Sequence, residues 1–284
     1  MGMSRLLENA ETFLRTEVAP NANVIDRDPV ALKNALDGLC RLNLMALRRP
    51  VEFGGPALSE SDFRLFQESV ARYSGSLAFL QTQHQSAVSM IAKGENEALR
   101  ARTLPNMADG TLLVGIGFSQ LRRPGPPMLR AESCPGGFRL NGSVPWVTGF
   151  GFYHQFLIGA ALPDGQAVFG VVPFSDCGGI KLGPIMRLAA MESPQTVTAE
   201  VSNYFLRDED DVRRAGRPSE GARLQLGQAA RRHLAADARA RGGEVSQARL
   251  RVPGGHGRGG ARARRGRHRS GLQLRPAAGR RGLR

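Results

Sequence analysis

Two stretches of the sequence put chemically useful groups where strands end. Gly115-Ile116-Gly117-Phe118-Ser119 reads as a short strand that finishes in exposed backbone and a hydroxyl. Further on, Asn141-Gly142-Ser143-Val144-Pro145-Trp146-Val147-Thr148 sets the chain's single tryptophan beside a second hydroxyl. An indole face can cover a planar ring while two hydroxyls satisfy the ring's polar edge. On spacing alone, a half-buried tryptophan in a small barrel explains the same letters more simply.

Other reactive patterns are missing. There is no HExxH zinc helix, phosphate-binding loop, GxSxG nucleophile turn or paired Cys/His set, so no metal site is expected. Gly255-x-Gly257-x-x-Gly260 matches a dinucleotide fingerprint by letter. No apolar strand precedes it and no helix follows, so chance in a glycine-rich tract accounts for it. Arg241-Gly242-Gly243 and Arg258-Gly259-Gly260 invite an RNA-binding reading, but such segments commonly add aromatic stacking and this tract has no aromatic residue. His84 lies on an apolar helix stripe, where a hydrogen-bonded core imidazole is the ordinary reading. His154 follows Phe152-Tyr153 at a strand start and is read as structural too. Asp208-Glu209-Asp210-Asp211 reads as solvated surface charge.

These residues need elements to position them. Residues 1–110 have helical periodicity. Asp28-Pro29 opens one helix with a capping carboxylate and a first-turn proline. Ser59 opens a second, with Asp62 three residues on. Leu77, Leu80, His84, Val88 and Ile91 form the stripe of a third, and Gly94 suits its end. A shorter polar helix over 95–102 should stop at Leu104-Pro105. From about residue 112 the period becomes that of strands. Pro135-Gly136-Gly137 and Pro163-Asp164-Gly165 mark hairpin connections, and Asn141-Gly142 a further tight turn. Residues 196–202 alternate, with Val197, Ala199 and Val201 on one face. Helices followed by strands predict an α+β protein, with an antiparallel, barrel-like second domain over 111–212.

Composition changes near residue 212. Residues 213–284 hold 20 Arg and 14 Gly against three acidic residues, with no Lys, Phe, Tyr, Trp, Ile, Met, Asn, Thr or Cys. The whole-chain charge of +14 therefore comes from this tail. The first 212 residues carry 19 basic and 22 acidic side chains, which argues against a nucleic-acid-binding body. So few large aliphatics with so much charge predict a disordered tail. A GC-rich gene read out of frame gives the same signature. Glu8 and Glu11 interrupt the N-terminal segment where a signal peptide would be apolar. No stretch approaches the ~20 apolar residues that span a bilayer. Cys40, Cys134 and Cys177 are odd in number and far apart, which favours free thiols. A cytoplasmic protein is expected.

Over residues 5–212 the chain resembles the acyl-CoA dehydrogenase family of flavoproteins. Gly94-Glu95-Asn96-Glu97-Ala98-Leu99-Arg100 and Thr103-Leu104-Pro105-Asn106-Met107-Ala108-Asp109-Gly110 carry the likeness, followed by Phe138-Arg139-Leu140-Asn141-Gly142 and Trp146-Val147-Thr148. The resemblance implies a helical N-terminal domain, a β-domain, FAD as cofactor and α,β-dehydrogenation of an acyl-CoA thioester in fatty acid metabolism. It implies that Ile116, Phe118 and Ser119 contact the flavin ring and that Trp146 and Thr148 pack on its face and edge. Two departures stand out. The family's Thr-Glu-Pro-Gly-x-Gly-Ser-Asp run is replaced by Ser119-Gln120-Leu121-Arg122-Arg123-Pro124-Gly125-Pro126-Pro127, which leaves a related flavin monooxygenase open. Nothing in 213–284 resembles the third, helical domain that supplies the catalytic base and the homo-oligomer interface. No catalytic residue is assigned, and the chain reads as truncated after its β-domain. A non-catalytic flavin-binding fragment and RNA binding through the tail are the alternatives.

Overall fold

Capping side chains set where the helices of the first half begin. The structure, a computed structural model, describes residues 3–216. Helix α1 (Met3–Phe13) continues through a π-helical turn, Leu14–Val18, towards the short α2 (Ala22–Ile25). At α3 (Pro29–Arg41) the Asp28 carboxylate accepts from the Val30 N–H at 2.8 Å, and Pro29 fills a position that needs no donor. At α4 (Glu60–Tyr73) Ser59 Oγ accepts from the Asp62 N–H at 3.1 Å. Helix α5 (Gly75–Ala92) follows at once, with Ser74 Oγ accepting from the Leu77 N–H at 3.2 Å. At α6 (Glu97–Thr103) Asn96 Oδ1 accepts from the Leu99 N–H at 3.0 Å. Pro105 lets only one further turn form, Leu104–Asn106.

The strands are β1 (Val114–Gly117), β2 (Leu129–Cys134), β3 (Gly137–Thr148), β4 (Gln155–Ala161), β5 (Gln166–Pro173), β6 (Ile180–Leu182), β7 (Thr196–Arg207) and β8 (Asp211–Gly216). They pair in the order β6-β7-β3-β2-β4-β5-β8, and β1 lies on β4. The hairpins β2–β3 and β4–β5 are antiparallel, as their turn residues predict. Two pairings are parallel: β1 with β4, and β2 with β4 at Arg130↔Ala161. The sheet is thus mostly antiparallel, and the protein is α+β.

Two local expectations are corrected. Asn141-Gly142 is not a turn, because β3 runs straight through it. Gly142 takes φ +131°, the β3–β7 register shifts between Leu140 and Gly142, and Asn141 Oδ1 accepts from the Asn203 N–H at 2.8 Å. The extra residue of this bulge lies in β7, where Asn203 takes φ +52°, and a side chain at 142 would strike the Met128 carbonyl. Gly94 does lie just past α5, yet it is absent from the positive-φ glycines. A Cβ there would come within 2.6 Å of the Val212 carbonyl oxygen, so close approach of the sheet explains it better than a left-handed cap.

One core joins the helices to the sheet. Leu14, Leu32, Leu36, Leu39, Leu77 and Leu80 pack in the same cluster as Phe138, Val144, Phe156, Val197 and Leu206. A second cluster brings Val88, Ile91, Leu99, Leu104 and Met107 against Val114, Leu157, Phe169 and Val212. Beyond it, Asn96 Nδ2 donates to the carbonyls of Asp208, Glu209 and Asp211 at 3.0–3.1 Å. Strand β8 continues past position 212, pairing through Ala167↔Ala215 and Gln166↔Gly216. The Gly255-x-Gly257-x-x-Gly260 and Arg-Gly-Gly motifs, with the RNA-binding reading of the tail, lie outside the described residues.

Candidate functional site

The position of α5 over β1 decides where the predicted site residues meet. His84 is completely buried and ties the two together: its Nδ1 accepts from the Val114 N–H at 2.9 Å and its Nε2–H donates to the Met107 carbonyl at 2.8 Å. Burial pushes its pKa down to about 4, which keeps the ring neutral. The Tyr153 hydroxyl donates to the Leu80 carbonyl, one turn earlier on α5, and its ring stacks on His84 with centroids 6.4 Å apart. Burial holds the Tyr153 phenol well above its ordinary value. Gln85 completes the fastening, accepting from the Leu47 N–H at 3.0 Å and donating to the Leu44 carbonyl at 2.7 Å. The helix therefore has little freedom relative to the strand.

The strand ends converge on the same place. Gly115 and Gly117 face away from Ile116, and a Cβ at 117 would lie 3.1 Å from a Val147 methyl. The absent side chain lets β3 come against β1 at this point. Ile116 and Phe118 then share one face of the first stretch, and Trp146 and Thr148 one face of β3, by the two-residue period of strands. All four, with Ser119, line a single pocket of about 360 Å³ whose other wall is Phe79 and Gln83 of α5. That volume falls within the range of small-molecule sites. Trp146 is 45% exposed and Phe79 40%, so two large aromatic surfaces stand open to a ligand. Thr148 is buried, and its hydroxyl is shared with Thr196 of β7 at 2.9 Å. That pairing draws Thr196 inward, off the polar face its alternation suggests.

Four lining residues escaped the sequence reading: Phe79, Gln83, Arg122 and Arg123. Phe79 and Gln83 are four apart, one turn of α5, a spacing the sequence does contain. Arg122 and Arg123 extend from the turn Ser119–Arg122, which is anchored where Gln120 Nε2 donates to the Gly159 carbonyl at 2.9 Å. Both arginines are exposed, and among the described residues no carboxylate lines the pocket, which makes this lining positive.

The remaining candidates are structural. His154 Nδ1 accepts from the Leu113 N–H at 3.0 Å at the start of β1. Within the acidic run, Asp210 pairs with Arg102 at 2.7 Å and Glu209 with Arg207 at 2.9 Å. Among the described residues no group of three His, Cys, Asp or Glu could hold a metal ion, and no helix is long and apolar enough to cross a membrane. All three cysteines are free, and burial raises the Cys40 thiol to about 11.

Comparison with known proteins now places this fold. Residues 3–111 match the family model described as acyl-CoA dehydrogenase, N-terminal domain. Mitochondrial isovaleryl-CoA dehydrogenase of Pongo abelii is 25% identical over 150 residues, 51% of this chain and 36% of that one. Butyryl-CoA dehydrogenase from Megasphaera elsdenii shares the fold with a TM-score of 0.66 at 18% identity, over 78% of this chain and 60% of that one. An acyl-CoA dehydrogenase complexed with FAD from Bacillus anthracis superposes with a TM-score of 0.62 at 21% identity, over 74% of this chain and 37% of that one. This chain thus spans about a third of its first curated relative's length and less than two thirds of the solved structures. The domain match over residues 3–111, the curated relatives and the shared fold agree, and the chain is similar to the acyl-CoA dehydrogenase family.

Proposed function

We propose that the pocket between α5, β1 and β3 holds the isoalloxazine ring of FAD, and that the chain serves α,β-dehydrogenation of an acyl-CoA thioester. The observation that carries this reading is the meeting of Ile116, Phe118, Ser119, Trp146 and Thr148 around one cavity. The Trp146 indole offers a face for a planar ring, and the Ser119 and Thr148 hydroxyls offer partners for its polar edge. Ile116 and Phe118 keep water from its apolar body. When bound, FAD supplies a hydride acceptor. The residues of this chain hold, orient and desolvate.

The lining set contains no Asp or Glu, so no described residue is placed to take a proton from the α-carbon. That favours, as a second reading, flavin binding without turnover by the described part.

FAD binding is tested on the full chain through Trp146, the single tryptophan. FAD should quench its emission to saturation, and Phe118→Ala should weaken FAD binding by about tenfold, in line with the loss of one buried aromatic contact. Anaerobic bleaching of the yellow protein by an acyl-CoA separates turnover from simple binding. A colourless protein with tryptophan emission indifferent to FAD would falsify the flavin reading.

A further inference from the structure

The turn that follows β1 carries two adjacent arginines whose charge is not answered nearby. Neither Arg122 nor Arg123 joins an ion pair among the described residues. Arg123 reaches the Met128 sulfur at 3.9 Å, a weak acceptor that leaves most of its donors free. The turn itself is held from within. Leu121 is buried, and the buried Gln120 donates to the Gly159 carbonyl at 2.9 Å. Ser119, Arg122 and Arg123 stay exposed, and all three line the pocket with Phe118 and Trp146. Two like charges beside an aromatic cavity suit a ligand that is planar at one end and anionic at the other.

We propose that Arg122 and Arg123 bind the ribityl phosphate of the flavin and that recognition of the cofactor ends there, so that flavin mononucleotide binds about as tightly as FAD. This rests on the flavin reading of the pocket. The ring alone occupies the cavity of about 360 Å³, and the phosphate lies outside it, at the exposed guanidinium groups. In a flavin the ribityl chain leaves the ring beside its polar edge, so edge and phosphate fall on the same side. Ser119, the partner offered to that edge, shares the turn Ser119–Arg122 with the first arginine, and the second follows directly. Guanidinium forks match the spacing of phosphate oxygens, and an exposed site takes the anion without stripping all its water. Beyond Arg123 the loop builds no wall. Pro124, Gly125 and Pro126 are exposed, and a Cβ at Gly125 would meet nothing within 4 Å. An adenylate group passing over this loop stays in water and buries little surface.

The experiment titrates the full chain at low salt with riboflavin, flavin mononucleotide and FAD, following flavin fluorescence. Riboflavin has the ring without the phosphate, so it measures the cavity alone. The mononucleotide should bind about tenfold more tightly than riboflavin, the size of two exposed charge-assisted contacts. It should come within about threefold of FAD, whose adenylate half buries little. Salt at about 1 M, where the screening length is about 3 Å, should erase most of the preference over riboflavin. Arg122→Gln combined with Arg123→Gln should bring the mononucleotide down to the riboflavin level. Riboflavin affinity and melting temperature should hold in that variant, because both side chains are exposed. Riboflavin bound as tightly as the mononucleotide, a preference that survives the double variant or the salt, a variant that loses riboflavin as well, or FAD bound far more tightly than the mononucleotide each overturns the proposal and leaves the ring in its pocket. No binding of any of the three flavins removes the flavin reading and the proposal together.

Discussion

His84 shows how one buried side chain writes a pH dependence into the fold. Its folded pKa of about 4 lies below the ordinary 6.5 because burial disfavours the charged ring. The unfolded chain therefore binds a proton that the folded chain refuses between those two values. Its stabilising contribution is complete above about pH 6.5 and drains away as pH falls through 4. Glu11 and Asp109, whose carboxyls are held below their usual range by hydrogen bonds from Tyr73 and from the Thr111 backbone, act only at the acid end of that window. Denaturant unfolding at a series of pH values should show this slope, and His84→Asn should flatten it; a slope unchanged in the variant would remove His84 from the account. As a residue type His84 was readable, since a histidine on an apolar stripe is usually a core imidazole. Its partners were not, because the Met107 carbonyl and Val114 N–H leave no mark in a sequence. Gln83 was invisible for a related reason: a polar letter in a helix reads as a solvent-facing one until the opposite wall is known.

At the scale of elements, caps and hairpin turns were legible because they are local chemistry. Asp28, Ser59, Pro105, Pro135 and Pro163 each act within a few residues of themselves. Asn141-Gly142 misled because the pair signals a turn by local chemistry, whereas here Gly142 permits close approach to the Met128 carbonyl and the distant β7 carries the bulge, with Asn203 at φ +52°. Asn96 escaped the sequence reading, which opened the polar helix at 95, and it has two roles. Its carbonyl caps α6 while its amide NH₂ reaches three carbonyls before and at the start of β8. Asn96→Ala should therefore cost about 1–3 kcal/mol, the sum of a lost cap and stranded acceptors. A denaturant-midpoint shift within the range of an ordinary surface substitution would show that these bonds do not hold the helix to the sheet.

For the whole molecule, the order of helices then strands was enough to predict α+β. It did not disclose that helices and sheet would share one core, because Leu36 or Leu77 on a helix stripe does not say what it faces. A shared core implies one cooperative transition. Helix signal by circular dichroism and Trp146 emission from β3 should therefore follow the same denaturation curve. Two separated transitions would mean that the layers unfold independently.

The parallel strand β1 has a consequence for how this architecture can be divided. It enters directly from the helical half, yet it occupies the flank of β4 from Gln155 to Ile158, while β2 reaches β4 only at Ala161. A fragment that began after residue 119, without β1, would strip β4 of that neighbour and bare a row of unpaired amides and carbonyls. Such a margin recruits other chains. The helical half is sewn into the sheet by its final stitch, and the two can be recombined with other modules only if that strand travels with the sheet.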